Sequence, residues 1–377
     1  MIKGNRKSSI MKEEKVYVTS PSLPPLDEYV ASLRKIWDSK YLTNMGPFHH
    51  EFEDKLSSYL GVEHLSLFSN GTLALLTALQ VLEVKGEVIT TPYTFVATAH
   101  ALIWNNLTPV FCDIDPDYGN INPDKIEALI GPKTSAILPV HVYGNPAQHE
   151  KIGLLAKKHS LKVVYDAAHA FGVTEHEQSV LNYGDLSIVS FHATKAFNTI
   201  EGGAIISHSA EMKRQIDYLK NFGFEDETTV IRPGINAKMN ELQAAYGILQ
   251  LDRFQDDVRK RKEVSLFYKK ALSNVTGVRL LPEMNDVVLN HAYFPIFIEQ
   301  DYPLTRDELY EKLKSGNIFS RRYFYPLASN LSCYERLPSA EKNKLPIANK
   351  LADTVLCLPI SSHLEVDTLE YIVSLIR

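Results

Sequence analysis

The segment Ser190-Phe191-His192-Ala193-Thr194-Lys195 carries one lysine in a polar turn between two apolar runs, Leu186-Ser187-Ile188-Val189 before it and Ala204-Ile205-Ile206 after it. That pattern predicts strand, irregular turn, strand. Desolvation of a lysine held there lowers its pKa and makes the amine a nucleophile. Such amines form Schiff bases with carbonyl compounds, pyridoxal phosphate among them. Taken alone, a single loop lysine is better read as an ordinary surface residue. Chemistry is implied only if other cofactor-binding groups converge on the same place.

Three further stretches qualify. Ser69-Asn70-Gly71-Thr72 is a small-residue turn between an apolar run, His64–Phe68, and a helical one, Leu73–Leu82. Free N–H groups and the positive end of the helix dipole make such a turn an anion site, most often for phosphate. An ordinary N-cap fits those residues equally well. Pro92-Tyr93-Thr94-Phe95 ends the run Glu87–Thr91, and Phe95 would there either stack on a planar ligand or belong to the core. The β-branched run Leu161–Tyr165 ends at Asp166, followed by Ala167-Ala168-His169. A carboxylate at a buried strand end needs a cation. A protonated pyridine nitrogen would serve, and so would a salt bridge or a helix cap.

The elements that must position these residues follow from periodicity. Apolar strands alternate with helices from 64 to 206, with further strands expected at Val110–Ile114 and Ser135–Val142 and a helix at His149–His159. That alternation predicts an α/β fold with a mainly parallel sheet, whose ligands sit outside the carboxyl ends of the strands. A long helix is expected to begin after Glu241 and end near Phe254. It divides a large domain, 15–254, from a smaller C-terminal α/β domain, 255–377. Residues 1–14 are expected to be a flexible tail, with Met11 an alternative start. His49-His50 read as polar residues at a helix start.

Composition excludes several classes. The chain has 377 residues, 45% hydrophobic and 23% charged, with a net charge of −5. No basic stripe interleaved with aromatics signals nucleic acid. No apolar run approaches the ~20 residues of a membrane span, and the first residues lack the apolar segment of a secretory signal. Cys112, Cys333 and Cys357 lie far apart, so neither zinc nor an iron–sulfur cluster is implied, and a reducing cytoplasm fits. No Gly-rich dinucleotide fingerprint or P-loop is present.

In their order and spacing these motifs resemble the sugar aminotransferases of the DegT/DnrJ/EryC1/StrS family. The carriers run from Gly46-Pro47 with Phe52-Glu53 through Asn70-Gly71-Thr72, Thr94-Phe95, Asp166-Ala167-Ala168-His169, Ser190-Phe191-His192 with Lys195, and Glu201-Gly202-Gly203 to Gly234, Asn236, Met239 and Glu241. The resemblance implies the type I pyridoxal-phosphate-dependent transferase (aspartate aminotransferase) fold and pyridoxal 5'-phosphate as cofactor. Lys195 would bind the cofactor covalently and shuttle protons. Asp166 would hold the pyridine nitrogen protonated, Phe95 would stack on the ring, and His169 would lie near the ring oxygen. Gly71, Thr72 and Ser190 would hold the phosphate. Asn236 would reach the neighbouring subunit's phosphate in a homodimer with shared active sites. Tyr41, Thr43, Asn44 and Tyr325 are the candidates for contact with a nucleotide sugar.

Two departures, His169 where many members have glutamine and Ala193 where many have proline, resemble one subgroup. Its members transfer an amino group from L-glutamate to the 4-keto carbon of dTDP-4-keto-6-deoxy-D-glucose for O-antigen biosynthesis. Alternatives are another nucleotide-linked ketosugar (a 3-keto substrate or an axial product) or a non-catalytic scaffold on the same fold. Related dehydratases carry histidine in place of Lys195, which speaks against dehydration.

Overall fold

The computed structural model describes residues 14–377. The expected tail, Glu14 apart, and Met11 lie outside the described residues. Seven strands form the central sheet: β1 (His64–Phe68), β2 (Glu87–Thr90), β3 (Thr108–Phe111), β4 (Thr134–Leu138), β5 (Lys162–Asp166), β6 (Leu186–Ser190) and β7 (Gly203–Ser207). Their spatial order is β1-β7-β6-β5-β4-β2-β3, parallel except for β7, which runs against both neighbours. The exception has a local cause. β6 reaches β7 through the turn that holds Lys195, whereas parallel neighbours need long crossovers.

Helices cover both faces, which is why the strands read as unbroken apolar runs. Helices α1 (Leu26–Ser39) and α2 (Pro47–Leu60) precede the sheet; α3 (Gly71–Val81), α4 (Val96–Trp104), α5 (His149–His159) and α6 (Ala210–Leu219) follow its strands. On one face Phe52, Phe171, Phe191, Phe197 and Phe254 form an aromatic core in which Phe171 stacks on Phe197 at 4.2 Å. On the other, Leu75, Ala78 and Leu102 pack beneath the strands.

Three expectations are corrected. The strand expected at Val110–Ile114 is Thr108–Phe111. Past it the Asp113 carboxylate takes the amino group of Lys125 and the backbone N–H groups of Ile347 and Ala348, which draws the chain out of the sheet. The strand expected at Ser135–Val142 stops at Leu138, because Pro139 has no N–H for the ladder. The helix expected to end near Phe254, α7, runs from Glu241 to Leu272. No proline interrupts it, and buried Val264, Tyr268 and Leu272 carry its apolar face into a second core shared with Phe294, Leu309 and Ile372. The expected division at 254/255 therefore falls inside a continuous helix. The N-terminal strand Val16–Tyr17 pairs with Ile318–Phe319 rather than with the central sheet.

His49 is also corrected: it is fully buried while His50 is exposed. Its Nε2 lies 3.3 Å from Glu53 Oε1, and Glu53 also faces Lys213 at 3.1 Å and Lys220 at 3.5 Å. Burial alone would raise the Glu53 pKa, but Lys220, the His49 hydrogen bond and Lys213 hold it well below the usual carboxylate range. Glu53→Gln should cost about 2 kcal/mol at pH 7, since it removes one of the two carboxylates, with Asp217, that Lys213 and Lys220 share. The folded pKa is depressed, so this contribution exists above the ordinary carboxyl value and fades as pH falls below about 4. Urea unfolding at pH 7 and pH 3 checks both statements; equal stability at pH 7 would show that the cluster contributes nothing. Among the described residues, no group of three or more His, Cys, Asp or Glu is placed to hold a metal ion, and no helix is long and apolar enough to cross a membrane.

Candidate active site

A cavity of about 280 Å³ opens at the carboxyl ends of the central strands. Gly71, Thr72, Phe95, Asp166, His169, Ser190 and Lys195 all line it, so seven of the expected residues converge.

Its first wall is the N-terminus of α3. The Asn70 side chain caps the helix by accepting from the backbone N–H of Leu73 at 2.9 Å. The first N–H groups of a helix have no partner within the helix and offer themselves to an anion. Close approach is built in here. A Cβ on Gly71 would lie 2.9 Å from the Ser190 Cβ, and one on Gly203 would lie 2.8 Å from the Gly71 nitrogen. Glycine at both positions lets β6, β7 and α3 meet, with the Ser190 side chain beside the helix start.

Asp166 ends β5 and is buried. Its Oδ2 accepts from Thr98 Oγ1 at 2.7 Å and its Oδ1 from the Ala168 N–H at 3.2 Å. Burial pushes its pKa up, and the bonds from Thr98 and Ala168 and the charge of Lys195 work against that. Burial lowers Lys195 to about 8, with Asp166 the opposing influence. An amine at that value is partly neutral near pH 7, as a nucleophile must be.

His169 accepts the Tyr143 N–H through Nδ1 at 3.2 Å. That bond assigns the ring proton to Nε2. Burial, Lys195 and His141 depress its pKa well below the ordinary value, so the ring is neutral. It lies parallel to Phe324 at 5.8 Å and 4.7 Å from the Tyr293 ring. Phe95, at the N-terminus of α4, is 58% exposed with its ring bordering the cavity. At the rim His192 lies 3.4 Å from Glu201 and bonds Thr194 at 2.8 Å.

The other candidates lie outside this cavity. Asn236 is exposed, and its Oδ1 accepts from Lys238 at 2.9 Å. Tyr41, Thr43 and Asn44 are exposed, with the Tyr41 hydroxyl donating to the Asn44 carbonyl at 3.0 Å. Tyr325 does not line the cavity; Arg306 and Arg322 lie over its ring at 4.5 and 5.5 Å. Its neighbours Tyr323 and Phe324 line the cavity instead, with Tyr293. An aromatic run before Pro326 was the one signal in the sequence, but it does not say which ring faces inward. Thr98, which reaches Asp166 from the first turn of α4, carries no signal in the sequence beyond its place in that helix.

An anion cradle, an exposed ring, a buried carboxylate and a depressed lysine around one cavity fit a planar, phosphate-bearing aldehyde. On this fold they are the groups a pyridoxal-phosphate-dependent aminotransferase needs. The chain belongs to the DegT/DnrJ/EryC1/StrS aminotransferase family, whose description it matches over residues 26–377. It is 52% identical to a dTDP-4-amino-4,6-dideoxy-D-glucose transaminase of Shigella dysenteriae, covering 97% of this chain and 99% of that one. It is 51% identical to an Escherichia coli protein of the same name, covering 94% and 96%. The solved structure of DesI in the presence of its TDP-sugar product superposes with a TM-score of 0.92 at 35% identity, over 96% of this chain and 92% of that one.

Proposed function

We propose that the enzyme transfers the amino group of L-glutamate to the 4-keto carbon of dTDP-4-keto-6-deoxy-D-glucose. The products are dTDP-4-amino-4,6-dideoxy-D-glucose and 2-oxoglutarate. The observation that carries this reading is identity of 51–52%, over nearly the full length of both chains, to two transaminases named for that product. The TDP-sugar product of DesI, a protein of closely similar fold, supports the nucleotide. The use of the product in O-antigen biosynthesis and a cytoplasmic location go with this reading.

When bound, pyridoxal phosphate supplies an aldehyde that carries the amino group and a protonated ring that takes up an electron pair. We assign the chain's own residues as follows. Lys195 Nζ would hold the aldehyde and, when free, would be the base that takes the α-proton of glutamate and returns a proton to C4 of the sugar. Asp166 would hold the proton on the ring nitrogen, where its negative charge is worth most because the carboxylate is buried. Gly71, Thr72 and Ser190 take the phosphate, Phe95 covers the ring, and neutral His169 donates from Nε2 toward the ring oxygen. Tyr293 and Phe324 fix the His169 ring so that this donor keeps its direction.

Asn236 is assigned to the site of a second copy, in a homodimer. Its exposure outside the cavity supports that assignment, as do the exposed apolar side chains beside it, Phe222, Phe224, Val230, Ile231 and Ile235. Tyr41, Thr43, Asn44 and Tyr325 are assigned to the nucleotide sugar arriving across the same interface. Incubation with dTDP-4-keto-6-deoxy-D-glucose and L-glutamate tests the substrate. The expected result is stoichiometric 2-oxoglutarate and an equatorial 4-amine by NMR. An axial amine, or turnover only with a different ketosugar, would overturn it.

A further inference from the structure

Asp166 is held by a directed chain of hydroxyl groups that enters from α4. Thr94 Oγ1 lies 2.8 Å from Thr98 Oγ1, and Thr98 Oγ1 donates to Asp166 Oδ2 at 2.7 Å. A hydroxyl has one proton to give. Thr98 spends its proton on the carboxylate, so it can only accept from Thr94. Both protons therefore point toward Asp166. The Ala168 N–H occupies the other carboxylate oxygen at 3.2 Å. All three side chains are buried: Thr94 is 4% exposed, Thr98 1% and Asp166 5%.

The geometry points to Thr98 as a positioning residue that fixes the Asp166 carboxylate and holds it ionised for the cofactor's ring, an inference that rests on the reading of Asp166 given above. Three features argue for more than packing. The bond is short and charge-assisted, the strong kind. Its acceptor is a group that burial would otherwise drive toward the neutral acid. The groups facing Asp166 leave few substitutes for it. Among the described residues Lys195, across the cavity, is the one group facing it that carries charge, because His169 and His141 are both held neutral by burial. The His141 backbone N–H is committed to the Asp166 backbone carbonyl at 3.1 Å and does not reach the carboxylate. Threonine at 98 serves the role because it stands in the first turn of α4, and the extended N-cap Phe95 brings Thr94, just before the helix, within 2.8 Å of its hydroxyl.

The test compares purified Thr98→Val, Thr98→Ser, Thr94→Val and Asp166→Asn with the wild type. Three quantities are read: the dissociation constant of pyridoxal phosphate from the apoprotein, the pH midpoint of the bound cofactor's absorbance change, and kcat against KM. A hydrogen bond to a charged group sets the scale at about 10- to 100-fold. Thr98→Val should weaken cofactor binding about 10-fold and lower kcat about 10- to 100-fold, with KM for the ketosugar nearly unchanged. Loss of the donor changes the charge that Asp166 presents to the ring, so the absorbance midpoint should move by about one pH unit from the wild-type value. Thr98→Ser should restore all three to within about threefold, and Thr94→Val should show the same trend at about two- to threefold. If Thr98→Val proves insoluble, Thr98→Ala removes the same hydroxyl and must show the same shifts. Wild-type affinity and midpoint in the variant without the hydroxyl, with both lost in Asp166→Asn, would overturn the role of Thr98 alone. Both retained in Asp166→Asn would overturn the reading of Asp166 itself.

Discussion

Lys195→Ala should lose at least about 10⁴-fold in turnover, because one residue supplies both the nucleophile and the proton shuttle. The variant should keep its fold. Lys195 sits in the turn between β6 and β7, and no core contact depends on its amine. Borohydride reduction of the wild type with pyridoxal phosphate should leave a covalent adduct on Lys195, seen by mass spectrometry, and none in the variant. The wild-type capture rate should also depend on pH with a definite sign. Burial lowers Lys195 to about 8 against the pull of Asp166, and only the neutral amine attacks. Capture should therefore rise about tenfold per pH unit up to pH 8 and level off above it. Lys195→Arg should behave like Lys195→Ala, since a guanidinium stays charged. A Lys195→Ala enzyme with more than about one hundredth of wild-type turnover would end the mechanism, because general-base removal alone accounts for that much.

The parts of the site that were legible in the chain share one property. Asp166, Phe95, Asn70-Gly71-Thr72 and Lys195 each lie within a few residues of the end of an apolar run, and in a parallel sheet every such end lies on the same side. Pattern alone therefore brings them together. The parts that were not legible depend on direction or distance. Tyr323, Phe324 and Tyr325 are consecutive in an irregular segment, where no period decides which ring turns inward. The cavity took two of them, while the Tyr325 ring lies against two arginines. His49 does stand in the first turn of α2, but its burial was hidden because groups that enclose it and its neighbour Glu53 come from far along the chain. Glu53 bonds Lys213 across 160 positions, and Glu241 takes the His49 N–H across 192. That last contact also explains why Glu241 belongs to the motif. Its carboxylate occupies the free N–H groups of Phe48 and His49 at 2.8 and 2.9 Å, at the positive end of α2. The passage of α7 beyond Phe254 was hidden for a different reason: its apolar stripe changes partner from the aromatic core to the C-terminal core without any break in spacing.

Asp166→Asn should separate activity from stability, with opposite signs. The substitution keeps the shape and removes the charge. A ring nitrogen facing a neutral amide loses its proton easily, and the electron sink goes with it, so kcat should fall about 10³-fold in both half-reactions. The apoprotein should respond the other way. The folded Asp166 titrates above its ordinary value because burial disfavours its charge. Between the unfolded value, about 3.9, and that raised value the folded protein binds more protons than the unfolded chain. Stability therefore falls as pH rises through this window, and the full cost is present above it. Asparagine escapes the cost, so apo Asp166→Asn should melt about 1–2 °C above the wild-type apoprotein at pH 8. The two should converge near pH 4, where the wild-type carboxyl is neutral in both states. Addition of pyridoxal phosphate should raise the wild-type melting temperature more than the variant's, because ligand stabilisation follows affinity. An ionised carboxylate left in so dry a place destabilises the empty protein, and its use is to hold a proton on the ring that the empty protein lacks. Retention of more than a tenth of wild-type kcat in Asp166→Asn would remove that explanation for its burial.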